Sequence, residues 1–231
     1  MRVLGLIPAR GGSKGVKRKN IRPLGGRPLL DWTLRVALRE PTLADVLVST
    51  EDAEIAAVAR EHGGWVPFLR HPETATDTAK SIDVVLECLI RLEEMGRNYD
   101  AVCLLQPTAP FRSPLLLRSA QEKFAAGEYT GLISVLPVPA HYHPNWAFIP
   151  DADDALVPAQ GPGSVIPRRQ ELPPAYVRDG AVYLTRTATL RAGSFFGERL
   201  GYVENRDAAR INIDTPEDWA RAESLVHQLT L

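Results

Sequence analysis

Apolar and polar positions fall in alternating blocks along the first 136 residues. Residues 3–8 (VLGLIP) are almost continuously apolar, the pattern of a strand buried on both faces. A polar, glycine-rich stretch follows. Residues 28–40 then predict a helix with Pro28 in its first turn. Residues 44–49 predict a strand, 53–62 a helix and 65–69 a third strand. From Ser81 onward, Ile82, Val85, Leu86, Leu89 and Leu92 share one helical stripe. Residues 100–105 predict a strand, 114–126 a helix and 131–136 another strand. This alternation implies a three-layer α/β/α domain, a mostly parallel Rossmann-like sheet with helices on both faces. Ligands in such sheets sit beyond the carboxyl ends of the strands.

The pattern breaks after Leu136. Nine of the 19 prolines fall between Pro137 and Pro174, which excludes a helix or a central strand there. Tyr142, Trp146, Phe148 and Ile149 are too apolar for a free linker. Residues 137–174 therefore read as an excursion within one domain, 1–231, that packs on something; a second subunit is the candidate. Regular patterning resumes at Ala175. Strand-like runs at 176–177 and 181–183 flank Arg178-Asp179-Gly180, a hairpin signal. Residues 209–213 predict a short strand. Thr215-Pro216-Glu217-Asp218 then opens a helix, with Thr215 as cap, Pro216 in the first turn and Asp218 completing a capping box.

Composition changes this picture little. Of 231 residues, 45% are hydrophobic and 24% charged, enough for a sizeable core. The net charge of −1 supplies no basic field for nucleic acid or an anionic membrane. Cys88 and Cys103 lie inside apolar runs and read as two reduced core thiols. The apolar start is short and runs straight into charged residues, and no segment approaches the roughly 20 apolar residues of a membrane span. The expectation is a cytoplasmic enzyme.

The chemistry concentrates in residues 8–20, PARGGSKGVKRKN. Five cations, Arg10, Lys14, Lys17, Arg18 and Lys19, stand there without an acid, among three glycines and directly after a buried strand. Glycines let backbone N–H groups converge on an anion, and the cations match a polyphosphate. A solvated basic loop is the plainer alternative. Position favours phosphate binding, because the carboxyl end of the first parallel strand is where phosphate sites belong. Lys14 is followed by Gly15, so the spacing is neither a Walker A loop nor a dinucleotide fingerprint.

The string IPARGGSKGVKRKNIRPLGGRPLL resembles the start of the acylneuraminate (CMP-sialic acid, nonulosonic acid) cytidylyltransferase family. The resemblance continues through RHPETATDT at 70–78, LLQPTAPFR at 104–112, RQELP at 169–173, Asp179-Gly180-Ala181 and IDTPED at 213–218. It covers nearly the whole chain and is weakest from Pro139 to Pro167. It implies the nucleotide-diphospho-sugar-transferase-like fold and a homodimer, with the proline-rich excursion and Phe195-Phe196 near the subunit interface. It also implies an in-line attack of the anomeric hydroxyl of a nine-carbon 2-keto sugar acid on the α-phosphate of CTP, with Mg²⁺ (or Mn²⁺) as cofactor.

By the same resemblance, Arg10, Lys19, Gln106 and Asp214 are the catalytic residues. Ala9, Arg10, Gly11, Gly12, Ser13, Lys19 and Asn20 bind the nucleotide from the phosphate loop, and Arg70, Ala79 and Ser81 from the base side. Gln106, Arg169, Asp179, Tyr183, Phe195 and Phe196 face the sugar, and Asp214 with Asn212 holds the metal. Several have plainer readings: Arg70 as a surface arginine, Ser81 as a helix cap, Phe195-Phe196 as core, and Asp214 as a carboxylate at a helix N-terminus. Arg168 competes with Arg169 for the sugar carboxylate.

Three departures from the family pattern stand out. Asn212 occupies the place of a second aspartate, which implies weaker metal affinity or reliance on one ion. Asp179 replaces an asparagine. A lysine expected after His143-Pro144 is absent. Together they imply an acid other than N-acetylneuraminate, with pseudaminic, legionaminic and Kdn types as candidates. Two alternatives stay open: a guanylyltransferase for a legionaminic-type acid, and a non-catalytic nucleotide-binding regulator. His141 and His143 have the spacing of a zinc pair but no third ligand nearby, and read as structural or substrate-proximal.

Overall fold

A computed structural model of the chain describes residues 1–207 and 209–229. The chain forms two compact units. The first is Met1–Ser134 with Asp179–Leu231, and the second is Val135–Arg178.

In chain order the strands and helices are β1 (Val3–Pro8), β2 (Pro23–Leu24), β3 (Arg27–Pro28), α1 (Leu29–Leu38), β4 (Leu43–Ser49), α2 (Ala53–Glu61), α3 (Ser81–Glu94), β5 (Ala101–Leu104), α4 (Pro114–Ala126), β6 (Gly131–Pro137), β7 (Phe148–Pro150), β8 (Leu156–Pro158), β9 (Tyr176–Arg186), α5 (Thr187–Arg191), β10 (Leu200–Glu204) and α6 (Pro216–Leu229). The central sheet has the order β10-β6-β9-β5-β1-β4. β1 lies between β4 and β5 and is parallel to both, whereas β9 runs antiparallel to β5. The carboxyl ends of β1, β4 and β5 thus share one edge, and the loops after them converge there.

The core follows from the apolar runs. Leu4, Leu6 and Ile7 of β1 are fully buried, as are Leu30 and Leu34 of α1 and Phe124 of α4. Each such side chain contributes roughly 1.5–3 kcal/mol by leaving water. Cys88 and Cys103 are buried free thiols, and burial pushes them up to about 11 and about 12. Neither is a nucleophile at neutral pH. A satellite cluster of Val16, Leu24, Leu29, Ile213, Trp219, Ala222 and Val226 ties the loop after β1 to α6.

Capping sets the helix starts. Asp52 accepts from the Glu54 and Ile55 amides to begin α2, and Ser113 accepts from Leu116 ahead of Pro114 in α4. Thr215 and Asp218 exchange hydrogen bonds at the start of α6, as the sequence predicts. The internal donors hold the Asp218 carboxyl below the usual carboxylate range. This cap therefore persists through that range and is lost only as pH falls below it.

Four sequence expectations need correction. Pro28 is the N-cap of α1 and lies outside its first turn. Residues 65–69 form no strand. Trp65 makes a single bridge to Leu47, and Pro67 has no N–H with which to continue a ladder. Tyr176–Arg186 is one continuous strand and no hairpin turns at Asp179-Gly180, because the Asp179 carboxylate is taken by partners distant in sequence. Residues 209–213 form no strand either. Ile213 makes one backbone bond, to the Thr108 carbonyl, and is fixed by burial in the satellite cluster.

The second unit contains the β7–β8 hairpin and short 3₁₀ turns at Ala140–Tyr142, Pro144–Trp146 and Arg169–Glu171. His143 is buried and structural. Its Nδ1 accepts from the Asn145 amide, so its Nε2 donates to the Pro173 carbonyl at 2.9 Å. The Trp146 indole donates to Ile166. Tyr142 (72%), Leu156 (71%), Ile149 and Phe148 are exposed apolar side chains of this unit.

Candidate active site

The loop after β1 is anchored at each turn. The Ala9 amide extends the β1–β4 pairing to the Ser49 carbonyl at 2.9 Å. The Gly11 amide donates to Glu51 at 2.7 Å, and a side chain at position 11 would press on the Asp52 carboxylate. Gly12 faces open space. Gly15 lies so close to the Asp214 carbonyl that any Cβ would collide with backbone. Arg18 takes a left-handed backbone (φ 54°) and sends its guanidinium to Asp52 and Glu54. Asp52 holds the guanidinium above its usual range, and Arg18 holds the Asp52 carboxyl below its own. Asn20 is buried, and its amide donates to the Arg10 carbonyl at 2.8 Å, closing the loop's end onto its beginning.

On one side of the loop, Arg10 donates to the Thr76 carbonyl at 2.8 Å and pairs with Asp77 at 2.9 Å. Lys14 reaches the other oxygen of Asp77, also at 2.9 Å. These two cations hold the Asp77 carboxyl below its usual range, Lys14 having the larger effect. Arg70 is buried and pairs with Glu51 at 2.9 Å. Ala79 follows in the same loop. Ser81 is the first helical residue of α3. The cap position is Lys80, with no side-chain cap bond, so the capping role open to Ser81 in the sequence is not the one it has.

On the other side of the loop, the Lys19 ammonium donates to the Ile213 carbonyl at 2.7 Å and to Asp214 at 3.3 Å. The second oxygen of Asp214 accepts from the Asn212 amide at 2.8 Å. Gln106 follows the end of β5. Gly180 has φ +80°, and a Cβ there would stand 3.4 Å from the Gln106 Oε1 and 3.9 Å from the Asn212 Oδ1. Lys19, Asp214, Asn212, Gly180 and Gln106 thus form a continuous row. Behind it lies Arg112, to which the sequence alone assigned no role. Its guanidinium donates to the carbonyls of Ala181 (2.5 Å) and Gln106 (3.0 Å) and to the Thr33 hydroxyl (3.3 Å).

The remaining predicted residues are placed differently. The Asp179 carboxylate is engaged within the chain, accepting from the Ser134 hydroxyl, the Ala181 amide (3.0 Å) and the Asn205 amide (2.6 Å). Tyr183 pairs with Leu104 at the end of β5, and its ring meets Phe195 edge-on at 6.2 Å. The Phe195 carbonyl accepts from Thr185, and Phe195-Phe196 backbone packs on Gly131. Their backbone therefore lies toward the amino end of β5, the end away from Gln106. Arg169 is exposed in the second unit, next to Arg168, which pairs with Glu171. Glu51, Asp77 and Arg112 are the residues that sequence reasoning missed. Each meets partners far along the chain, so none of the three left a local signal.

Residues 4–230 match the cytidylyltransferase family model. The chain belongs to the cytidylyltransferase family. It is 36% identical over 98% of its length, and 97% of the relative's, to the CMP-N,N'-diacetyllegionaminic acid synthase of Legionella pneumophila. It is 32% identical over 96% of its length to N-acylneuraminate cytidylyltransferase A of Danio rerio, of which it spans 50%. The CTP complex of CMP:2-keto-3-deoxy-manno-octonic acid synthetase has the same fold, with a TM-score of 0.74, 18% identity and coverage of 99% of this chain and 100% of that one. The parallel core, with its loop at the end of β1, is thus a nucleotidyltransferase framework.

In this cytidylyltransferase the Asp77 carboxylate engages both Arg10 and Lys14. Asp77→Asn is expected to tighten CTP binding about two- to fivefold at low ionic strength, with the gain shrinking as salt rises. Calorimetric titration checks this, and affinity that stays equal or weakens would show that Asp77 does not compete. The pairing requires ionised Asp77, so it persists above the usual carboxylate range and is lost as pH falls below it.

Proposed function

We propose that the chain transfers the cytidylyl group of CTP to a nonulosonic acid of the legionaminic type, releasing pyrophosphate. The observation that carries this reading is the cationic glycine loop at the end of β1, joined through Lys19 to Asp214, in a cytidylyltransferase. The near-full-length similarity to a legionaminic acid synthase supports the choice of acid.

In this reading Arg10, Lys14 and Lys19 draw in the triphosphate, with Ala9, Gly11, Gly12, Ser13 and Asn20 shaping the loop around it. Arg70, Ala79 and Ser81 receive the base. Gln106 orients hydroxyls, and Arg169 takes the sugar carboxylate with its guanidinium fork. Asp179, bound by its own chain, shapes the sugar side through Ser134 and Asn205. The anomeric hydroxyl attacks the α-phosphate in line, and the fixed cations stabilise charge that moves to the pyrophosphate.

Among the described residues no group of three or more His, Cys, Asp or Glu is placed to hold a metal ion. The donor set nevertheless fits magnesium, which binds through one or two carboxylates together with substrate phosphates. Asp214, whose side chain is 61% exposed, is the carboxylate, and Asn212, whose amide nitrogen donates to it at 2.8 Å, would turn its amide oxygen to the ion. Bound there, the ion would neutralise phosphate charge. Asn212→Asp adds a second carboxylate and is expected to lower the magnesium half-saturation several-fold. A half-saturation that stays unchanged would refute the role given to Asn212.

The exposed apolar side chains of the second unit suit a second copy of the chain, and in a homodimer Phe195-Phe196 would serve the partner's sugar pocket. Leu156→Asp is expected to shift sedimentation toward the monomer. No helix among the described residues is long and apolar enough to cross a membrane.

The deciding experiment is pyrophosphate release over four nucleoside triphosphates with legionaminic, pseudaminic, Kdn and N-acetylneuraminic acids. CTP with legionaminic acid is expected to rank first. GTP ahead of CTP would overturn the nucleotide assignment, and N-acetylneuraminate far ahead would overturn the acid.

A further inference from the structure

We propose that Glu51 is a positioning residue that locks the phosphate loop to the base-side arginine, so that one carboxylate sets CTP affinity and base selectivity together. The inference rests on the cytidylyltransferase reading above but concerns a residue that the reading does not use.

Glu51 stands two residues beyond the end of β4, at the sheet edge where the loop after β1 emerges. One of its oxygens accepts the Gly11 amide at 2.7 Å, and the other accepts the Arg70 guanidinium at 2.9 Å. The two partners are 59 positions apart, and this single side chain joins them. The Arg70 amide also donates to the Thr50 carbonyl at 2.8 Å, so backbone and side chain dock on the same corner.

Burial gives the contact its weight. The Arg70 side chain is only 3% exposed and the Glu51 side chain 21%. The Arg70 Nε is buried and has no hydrogen-bond partner among the described residues. Glu51 is the carboxylate that compensates this desolvated charge, and a buried guanidinium without one does not hold a fixed position. The neighbouring Asp52 has separate work, capping α2 and pairing with Arg18. Glu51 caps no helix. Among the described residues its carboxylate makes two hydrogen bonds, to the phosphate loop and to the base side. The first of these bonds also fixes the direction of the Gly11 amide near the start of the loop.

The test is Glu51→Gln, which keeps size and shape but replaces one acceptor with a donor facing a donor. Calorimetry with CTP and with UTP, each with magnesium and without sugar acid, reads the site directly. CTP affinity is expected to fall about tenfold and the CTP-over-UTP preference to narrow, while the KM for the sugar acid stays within twofold. Glu51→Asp keeps the charge at a shorter reach and is expected to fall between the two. It also serves as the test if the glutamine variant does not fold. A purely structural Glu51 would lower the melting temperature and weaken both nucleotides equally, and that result, or unchanged CTP affinity in a folded variant, overturns the proposal. Wild-type protein that binds no CTP would instead overturn the functional reading, and this proposal with it.

Discussion

Lys19→Ala is expected to lower kcat/KM for CTP about 10²- to 10³-fold, a loss of about 2.7–4 kcal/mol of transition-state stabilisation. Lys19 stands in a 3₁₀ turn that begins after the left-handed Arg18, and its side chain is 13% exposed. Two of its three ammonium protons are directed at the Ile213 carbonyl and Asp214, which leaves one for a phosphate oxygen. Alanine removes that donor and leaves Asp214 as an uncompensated anion facing the triphosphate. Ground-state binding and transition-state charge stabilisation are both weakened. Lys19→Arg is not expected to restore activity, because the larger planar fork does not fit a slot made for a point charge. Pyrophosphate release under subsaturating CTP measures the effect. A threefold loss or less, in a variant that melts like wild type, would remove Lys19 from the reaction.

The part of this site that could be read from the sequence is the part that is contiguous. Five cations and three glycines in residues 8–20 suggest an anion site from the sequence alone because they are contiguous. The capping box at Thr215 and Asp218 was legible for the same reason. What could not be read depends on distant partners. Asp179-Gly180 has the local chemistry of a hairpin, yet Ser134 and Asn205 take its carboxylate and the chain runs straight through as β9. Residues 65–69 have strand composition, but Pro67 and one bridge to Leu47 end the pairing. Glu51 carries no local signal ahead of helix α2. Its meaning lies in Gly11 and Arg70, 40 and 19 positions away. In β1, α1 and α4, by contrast, local patterning and tertiary burial agree, and there the elements were found.

Arg112 lies at the centre of such distant contacts, and Arg112→Met is expected to destabilise the protein by about 3 kcal/mol, lowering Tm by roughly 6–12 °C. Burial pushes its guanidinium down to about 10, so it remains charged at neutral pH. Three bonds spend that charge on the Ala181 and Gln106 carbonyls and the Thr33 hydroxyl, joining β9, the loop after β5 and α1. Methionine fills much of the volume but donates nothing. A buried carbonyl, a half-buried one and a hydroxyl lose their donor, and the Asp179 and Asp207 charges lose a counter-charge. Arg112→Lys restores the charge with a single donor point and is expected to recover about half of the lost stability. The chemistry should respond separately. With Gln106 no longer held by its carbonyl, kcat is expected to fall about tenfold at temperatures where the variant is folded, while CTP affinity stays near wild type because the phosphate loop is anchored elsewhere. Thermal melts together with steady-state kinetics read both effects. A methionine variant that melted with wild type would show that the buried guanidinium is not the clasp joining these three segments, and the placement of Gln106 would then need another cause.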